Sequence, residues 1–320
     1  MKLQVMYSFL RSDLDKIEQE LKAVVSSEQL VLEEAALQLI QAGGKRIRPV
    51  FVLLAGKFGT YHLETIKHVA VALELIHMAS LVHDDVIDAA LLRRGNETVN
   101  AKWGDRMAMY TGDYLFAKAL ESITNIQDVE AHKVLSKTMV ELCKGEIEQI
   151  RDKYNFNQNL RTYLRRIKRK TALLIAASCQ LGAIASGACC DTVNRLFWFG
   201  YFVGMSYQII DDILDFVSTE KELGKPAGED LRQGNVTLPV LYAMQMPELQ
   251  RKIAAVHEGI SAEEMKEIIN LIKDSAAIEK SFQLSERYLQ KALAVIQPLP
   301  RGQAKSALQN VAKYIGKRKF

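Results

Sequence analysis

The chain has 320 residues, 48% of them hydrophobic and 25% charged, and its formal net charge is +4. This is ordinary globular composition without a low-complexity segment, and so small a positive excess does not indicate a nucleic-acid-binding protein. None of the four cysteines has the spacing of metal ligands, so we expect free thiols in a reducing cytoplasm. The amino terminus lacks the long apolar core of a signal peptide.

The apolar residues recur with helical periodicity, and the six prolines leave long stretches without a helix breaker. We therefore expect an all-α protein, a large single-domain helical bundle over residues 1–320 with a central active-site cavity. An early helix ends at Gly43-Gly44, and Pro49 lies in the first turn of the next. Further helices are predicted at about 63–88, 105–122, 129–152, 159–187, 190–217, 235–245, 261–272, 276–294 and 301–316.

A basic loop, residues 45–48 with the sequence Lys-Arg-Ile-Arg, joins the first two of these helices. It places three cations beside a helix start, where free backbone N–H groups already favour an anion. Lys45 and Arg48 are its candidate anion-binding residues.

Two helices end in the motif Asp-Asp-x-x-Asp, at residues 84–88 and 211–215. Asp84 and Asp88 are four residues apart and share one helix face. Clustered carboxylates repel one another unless a cation relieves the charge, and Mg²⁺ is commonly held jointly by carboxylates and phosphates. One such motif is often only a charged helix end, whereas two at the ends of apolar helices indicate magnesium-dependent diphosphate chemistry.

Further polar residues flank both acidic motifs. Arg93-Arg94 closely follows the first motif, and arginine pairs well with phosphate oxygens. The candidates around the second motif are Lys170, Thr171, Gln208 and Lys225. Each alone is ordinary surface charge or polarity, but as a set they predict a cavity for two diphosphates.

Five segments together resemble the trans-isoprenyl diphosphate synthase family, and they span most of the chain. They are GGKRIRP at 43–49, LVHDDVID at 81–88, RRG at 93–95, KTA at 170–172 and YQIIDDILD at 207–215. The resemblance implies the isoprenoid synthase fold, three Mg²⁺ ions, and a prenyltransferase that extends farnesyl diphosphate head to tail and in trans with successive isopentenyl diphosphates. The chain departs from the family at Asn235, where a lysine is usual, and at Glu97, where a proline is usual.

The family's roles carry over residue by residue. Metal ligation is implied for Asp84, Asp88 and Asp211 with Asp85 and Asp215 in support, and catalysis for the first three with Arg93 and Lys170. The allylic diphosphate would be held by Arg93, Lys170, Thr171, Gln208 and Lys225. Isopentenyl diphosphate would be held by Lys45, Arg48, His77 and Arg94.

A closer resemblance covers residues 78–88, 160–187 and 313–320. It is to the catalytic subunits of two-component bacterial synthases, and it implies a heterodimer with a small subunit, component I, with a homodimer as the state in its absence. It also implies a heptaprenyl product for menaquinone side chains. Such a product is membrane-seeking, but we do not expect the chain to be transmembrane.

Small side chains one helical turn before the first acidic motif bear on product length. Ser80 and Ala79 lie four and five residues before Asp84, roughly 6–7.5 Å along a helix that rises about 1.5 Å per residue, and Ile76 lies one turn deeper. A large aromatic side chain there would close the product pocket. We therefore predict a long product.

Other readings stay open at this point. A terpene cyclase or head-to-head synthase shares the fold and acidic motifs but does not need Lys45 and Arg48. A metal-dependent phosphohydrolase would use His83 and Asp84 but needs further histidine ligands, and a non-catalytic subunit does not need intact acidic motifs. The uncharged stretch 171–190 is long enough to span a bilayer, although its small and polar residues favour a buried helix.

Overall fold

The structure, a computed structural model, describes residues 3–93, 95–218 and 227–316, and within these ranges the protein is predominantly helical. The predicted all-α class is therefore confirmed. A 3₁₀ segment, Leu3–Leu10, precedes the first α-helix, and a short antiparallel hairpin pairs β1 (Leu92–Arg93) with β2 (Asn96–Glu97). The α-helices are α1 Arg11–Val24, α2 Leu30–Gln41, α3 Ile47–Gly56, α4 Leu63–Ile87, α5 Val99–Trp103, α6 Asp105–Ile123, α7 Val129–Arg151, α8 Leu160–Ile167, α9 Leu173–Ala185, α10 Cys190–Val217, α11 Glu229–Arg232, α12 Leu238–Ala243, α13 Pro247–Ala254, α14 Ala262–Lys273, α15 Ala276–Val295 and α16 Gln303–Gly316.

One predicted helix, 159–187, differs from the structure. It is divided into α8, a π-helical turn at Lys168–Ala172, and α9. A close approach of α7 accompanies the π turn, since a Cβ added at Gly145 would lie 2.8 Å from the Cβ of Arg169. Apolar periodicity does not distinguish a π turn from continuous α-helix, because only one residue is added.

The chain forms two compact units. Unit 1 comprises residues 1–139, 177–197 and 299–308, and unit 2 comprises residues 140–176, 198–298 and 309–320. The first acidic motif belongs to unit 1 and the second to unit 2.

Helix α4 is the centre of unit 1, with α1, α3 and α6 packed against it. Residues 69–76 are buried without interruption, as expected for a helix surrounded by protein on all sides. Close packing against α6 depends on Gly112, because a Cβ added there would lie 2.2 Å from Nε2 of His83. This packing fixes the end of α4, where the first acidic motif lies.

Helix α4 is also the one helix in the described ranges with the length and apolar composition of a membrane span, and 67% of its most apolar window is buried inside the protein. The stretch 171–190 is not a single helix, since α9 ends at Ala185 and α10 begins at Cys190. The stretch therefore does not form one helix long enough to cross a bilayer, and most of the apolar residues of α9 are buried inside the protein.

Two apolar clusters build unit 2. One packs α10 against α8 and α12 and includes Tyr163, Ile209, Ile213 and Leu238. The other lies around Phe216 and continues through α12 to α14. The carboxyl end of α10, which carries the second acidic motif, is thereby enclosed by apolar side chains.

Candidate active site

The backbone itself holds the end of α4 at the first acidic motif. Ala89 adopts the left-handed conformation, with φ 48°. The N–H groups of Ala89 and Ala90 donate to the carbonyls of Val86 and Asp85, at 3.2 and 2.9 Å, which is the Schellman arrangement of a helix end. The hydroxyl of Thr98 donates to the Ala90 carbonyl at 2.7 Å and ties down the loop that follows.

The three acids of the first motif have different surroundings. Asp84 and Asp88 are half-buried, whereas Asp85 is 2% exposed. Asp85 accepts a forked contact from Arg93, whose Nε lies 2.8 and 3.0 Å from its two carboxylate oxygens and whose Nη2 lies 2.6 Å from Oδ1. Burial raises the pKa of Asp85, and the Arg93 guanidinium opposes that rise. Asp85 is therefore built to hold Arg93, which agrees with a supporting role.

A cleft of unit 1 opens beside this motif. Among its lining residues are Gly43, Arg46, His77, Asp85 and Arg93. The structure thus brings His77, a candidate for isopentenyl diphosphate, together with Arg93. Lys45 and Arg48 do not line this cleft; Lys45 is exposed and Arg48 half-buried on the adjoining loop.

The second motif also has a buried middle acid. Asp212 is 3% exposed and accepts hydrogen bonds from the Tyr163 phenol at 2.7 Å and the Gln208 amide at 2.8 Å. Gln208 in turn accepts from the Thr171 hydroxyl at 2.6 Å. Burial raises the pKa of Asp212 to about 8, the charge of Asp230 adds to this, and the two hydrogen bonds oppose it. The candidates Thr171 and Gln208 are thereby linked to the motif.

The outer acids of the second motif differ as well. Asp211 is half-buried, whereas Asp215 is 3% exposed. Asp215 Oδ2 accepts from the N–H of Asp230 at 3.2 Å, and its carbonyl accepts from the N–H of Gly228 at 2.7 Å. Asp215 ties the end of α10 to the next described loop, which again suits a supporting role.

Lys170 and Thr171 lie on the π turn between α8 and α9. The Lys170 ammonium is 2.8 Å from the Glu146 carboxylate on α7, and the neighbouring Arg169 is paired with Glu141 at 2.9 Å. π turns recur at functional sites because they displace side chains from the regular helical register. Here both the ammonium of Lys170 and the hydroxyl of Thr171 lie on the π turn.

The three product-length candidates lie on α4. Ile76 and Ala79 are fully buried, and Ser80 is half-buried with its hydroxyl donating to the His77 carbonyl at 2.8 Å. Ser80 is thus the candidate with space around its side chain.

The acidic side chains fit magnesium through their chemistry. Within residues 3–93, 95–218 and 227–316, no three His, Cys, Asp or Glu side chains converge as an all-protein metal site. Mg²⁺ is typically held by one or two carboxylates together with phosphate oxygens and water. The half-buried carboxylates of Asp84, Asp88 and Asp211 match that mode of binding, since each is an oxygen donor that remains partly accessible.

His83, which a phosphohydrolase would use with Asp84, is directed toward α6. Its Nε2 lies 3.2 Å from the Met109 carbonyl oxygen and 3.6 Å from the Asp113 carboxylate. Its ring is therefore engaged by packing within unit 1.

Some predicted residues lie outside this description, and some contributors were not predicted. Arg94 and Lys225 lie outside the described residues. Glu74 and Tyr163 were missed, although Glu74 stands out in the sequence as the one acid in the apolar run 69–76. The Asn235 backbone N–H donates to the Asp230 carbonyl at 2.8 Å, so a backbone hydrogen bond fixes the conformation of the loop at Asn235.

Residues 29–273 match the family model described as polyprenyl synthetase. The chain belongs to the polyprenyl synthetase family. It is therefore a prenyltransferase of the trans-polyprenyl diphosphate synthase type, and the alternatives of a phosphohydrolase and a non-enzymatic subunit are wrong.

Individual relatives of this polyprenyl synthetase cover almost the whole chain. It is 63% identical to heptaprenyl diphosphate synthase component 2 of Bacillus subtilis (strain 168), over 100% of this chain and 92% of the relative. Identity to the protein of the same name from Geobacillus stearothermophilus is also 63%, over 100% of both chains.

Solved structures agree with the fold. The crystal structure of heptaprenyl diphosphate synthase from Staphylococcus aureus has a TM-score of 0.94 and 45% identity, over 97% of this chain and 98% of that one. A polyprenyl synthase from Caulobacter crescentus CB15, complexed with calcium and isoprenyl diphosphate, has a TM-score of 0.94 and 29% identity, over 99% and 98% of the two chains. The isoprenoid synthase fold predicted from the sequence is confirmed.

Proposed function

We propose that this prenyltransferase is the catalytic component of a heptaprenyl diphosphate synthase, extending farnesyl diphosphate with successive isopentenyl diphosphates for menaquinone side-chain synthesis. The observation that carries the proposal is 63% identity along the whole chain to two proteins named component 2 of that synthase. The acidic motifs and the cations around them support it, since each has the chemistry that diphosphate substrates require.

In this proposal Asp84, Asp88 and Asp211 hold Mg²⁺, which supplies positive charge for the leaving diphosphate. Arg93 and Lys170 orient and neutralise its oxygens, and Thr171 and Gln208 complete the polar surroundings of the allylic diphosphate. The second diphosphate, that of isopentenyl diphosphate, is bound by Lys45, Arg48 and His77. The proposal also assigns Lys225 to the allylic diphosphate and Arg94 to isopentenyl diphosphate.

The chemistry proceeds with a balanced exchange of bonds. The allylic C–O bond breaks and its electron pair leaves with the diphosphate. The double bond of isopentenyl diphosphate then forms a C–C bond to the allylic carbon, which leaves a cationic carbon in the isopentenyl unit. A proton leaves from the carbon next to that centre to the released diphosphate, and a new double bond forms. The protein's part is orientation, charge complementarity and the exclusion of water that would capture the cation.

We further propose the assembly and location. Activity requires component I, a partner that the name component 2 of the relatives suggests, and the chain forms a homodimer in its absence. The four cysteines are free thiols in the described ranges, which supports a cytoplasmic location. Residues 1–320 act as a single polyprenyl synthase domain, because the one family match includes residues of both units.

The test is an elongation assay of the chain, alone and with purified component I, using Mg²⁺, farnesyl diphosphate and labelled isopentenyl diphosphate. Products are dephosphorylated and separated by length. We expect a heptaprenyl product with both components present. A cyclised or head-to-head product would favour the alternative on the same fold, and no elongation in any combination would refute the proposal.

A further inference from the structure

Arg46 is the central cation of the basic loop, yet the protein itself takes up its guanidinium. Nε and Nη2 donate to the two carboxylate oxygens of Glu18, at 2.9 and 2.8 Å, and Nη1 donates to Glu74 at 3.0 Å. Nη2 also donates to the carbonyl of Ile40 at 2.8 Å. One side chain, 14% exposed, therefore joins α1, the end of α2 and the middle of α4.

The backbone of Arg46 is left-handed, with φ 44° and ψ 39°, and it caps the start of α3. A non-glycine residue rarely adopts this conformation, and it persists only where the surroundings hold it. The four hydrogen bonds of the guanidinium are the contacts that hold it here. The left-handed backbone of Arg46 therefore depends on the hydrogen bonds of its side chain.

Glu74 is the buried acceptor of the Arg46 side chain. It is 4% exposed on a helix whose neighbouring positions are all apolar, and a buried carboxylate needs a paired cation. Burial disfavours the charge of Arg46, but the hydrogen bonds and charges of Glu18 and Glu74 outweigh it and raise the pKa of Arg46. The Arg46 guanidinium is therefore charged at neutral pH.

The turn at Arg46 affects the positions of the two other basic residues of the loop, Lys45 and Arg48. Lys45 precedes the turn and is exposed, and Arg48 follows it in the first turn of α3 and is half-buried. A change of backbone conformation at one residue redirects the chain on both sides of it.

We propose that Arg46 is a positioning residue: held by Glu18 and Glu74, it locks the left-handed turn that presents Lys45 and Arg48 to the diphosphate of isopentenyl diphosphate. The inference rests on the proposed function, which gives Lys45 and Arg48 that role. Although Arg46 borders the cleft, four of its five N–H groups donate to protein acceptors, so it acts through Lys45 and Arg48.

The test is steady-state kinetics of Arg46→Met, Glu18→Gln and the double variant, in the subunit composition in which the natural chain elongates. We expect the KM for isopentenyl diphosphate to rise about tenfold in Arg46→Met, on the order of the loss of one charge-assisted hydrogen bond. Glu18→Gln should raise it less, and the double variant should be no worse than Arg46→Met, because both remove one interaction. The KM for farnesyl diphosphate and kcat should stay within about twofold.

The matched control is Lys67→Gln. Lys67 on α4 pairs with Glu20 on α1 at 3.2 Å, so this change removes another cation that links the same two helices, and neither KM should move. An unchanged KM for isopentenyl diphosphate in Glu18→Gln and Arg46→Met would overturn the inference, as would an equal change in both KM values and kcat. If Arg46→Met does not fold, Glu18→Gln decides alone. A natural chain that fails to elongate would instead refute the proposed function.

Discussion

The middle and the first aspartate of each motif have different surroundings. Asp85 and Asp212 occupy the same motif position, and both are buried and bonded to side chains, Arg93 in one case and Tyr163 with Gln208 in the other. The first acid of each motif is half-buried instead. The middle acid organises its polar neighbours, which agrees with the proposal that the more accessible carboxylates hold the metal.

Asp84→Asn and Asp85→Asn should therefore separate metal binding from organisation. We expect Asp84→Asn to lower kcat by about 100-fold, the order found when one electrostatic contact to the transition state is lost, and to raise the Mg²⁺ concentration for half-maximal rate. Asp85→Asn should slow elongation through Arg93 but leave that concentration within about twofold. Asp113→Asn, at an acid 65% exposed on α6, is the control. Equal shifts in Mg²⁺ dependence for both variants would contradict the division.

Ser80 is the residue that tests product length. Ser80→Phe should shorten the product seen on chromatography, because an aromatic ring one turn below Asp84 occupies the space for the growing chain. Ser136→Phe on α7 is the matched control, since Ser136 is exposed and also donates to the carbonyl three residues earlier. An unchanged product length in Ser80→Phe would disprove the pocket-floor model. Ala79→Phe should act in the same direction but cost about 1–3 kcal/mol of stability, because Ala79 is fully buried.

At the scale of elements, α8 and the π turn after it provide hydrogen-bond donors to the acidic end of α10. The Tyr163 phenol on α8 donates to Asp212 on α10, and the π turn after α8 places Thr171 to donate to Gln208. Two polar contacts thus cross between elements that otherwise pack through the apolar cluster around Ile209. A buried network of this kind is sensitive to the loss of any member.

Tyr163→Phe tests this connection. It removes a donor from a buried carboxylate and should lower the free energy of unfolding by about 1–3 kcal/mol, measured by urea denaturation. We also expect the KM for farnesyl diphosphate to rise, because Asp212, the hydrogen-bond acceptor of Gln208, loses one of its two donors. The same change at Tyr201, a half-buried tyrosine of α10 in the same cluster, should have a smaller effect on both quantities. Equal effects of the two substitutions would show that Asp212 is not the reason.

At the scale of the whole molecule, the two acidic motifs lie in different compact units, and the proposed function assigns Mg²⁺ and diphosphate to both, which ligand linkage can test. Mg²⁺ with inorganic diphosphate should raise Tm by roughly 5 °C, more than either alone, because each ion shares carboxylate and phosphate ligands. Differential scanning calorimetry measures the shift. The double variant Asp84→Asn with Asp211→Asn is expected to abolish it. A shift of equal size with Mg²⁺ alone would contradict the joint binding.

Much of the fold could be predicted from local pattern. The predicted bounds of α10, 190–217, are the observed ones, and those of α4 and α7 differ by one residue at the end, because long apolar periodicity and glycine stops are local signals. The amino-terminal helix α1 and the short helices α5, α11 and α13 were not predicted, and the short ones have too few residues to show periodicity. The π turn was missed because it changes the register by one residue and leaves composition unchanged.

The helical class, the family and the acidic and basic candidates could be predicted from the amino-acid sequence, because they depend on residue type and on spacing along a helix. Which of these candidates bind other groups of the protein depends on the tertiary structure. Arg46 meets Glu18 and Glu74, which are 28 residues away on either side. Arg93 and Asp85, and Tyr163 and Asp212, are likewise joined by packing. Burial and pairing are properties of contacts between distant segments, and no local pattern encodes which charge will find a partner.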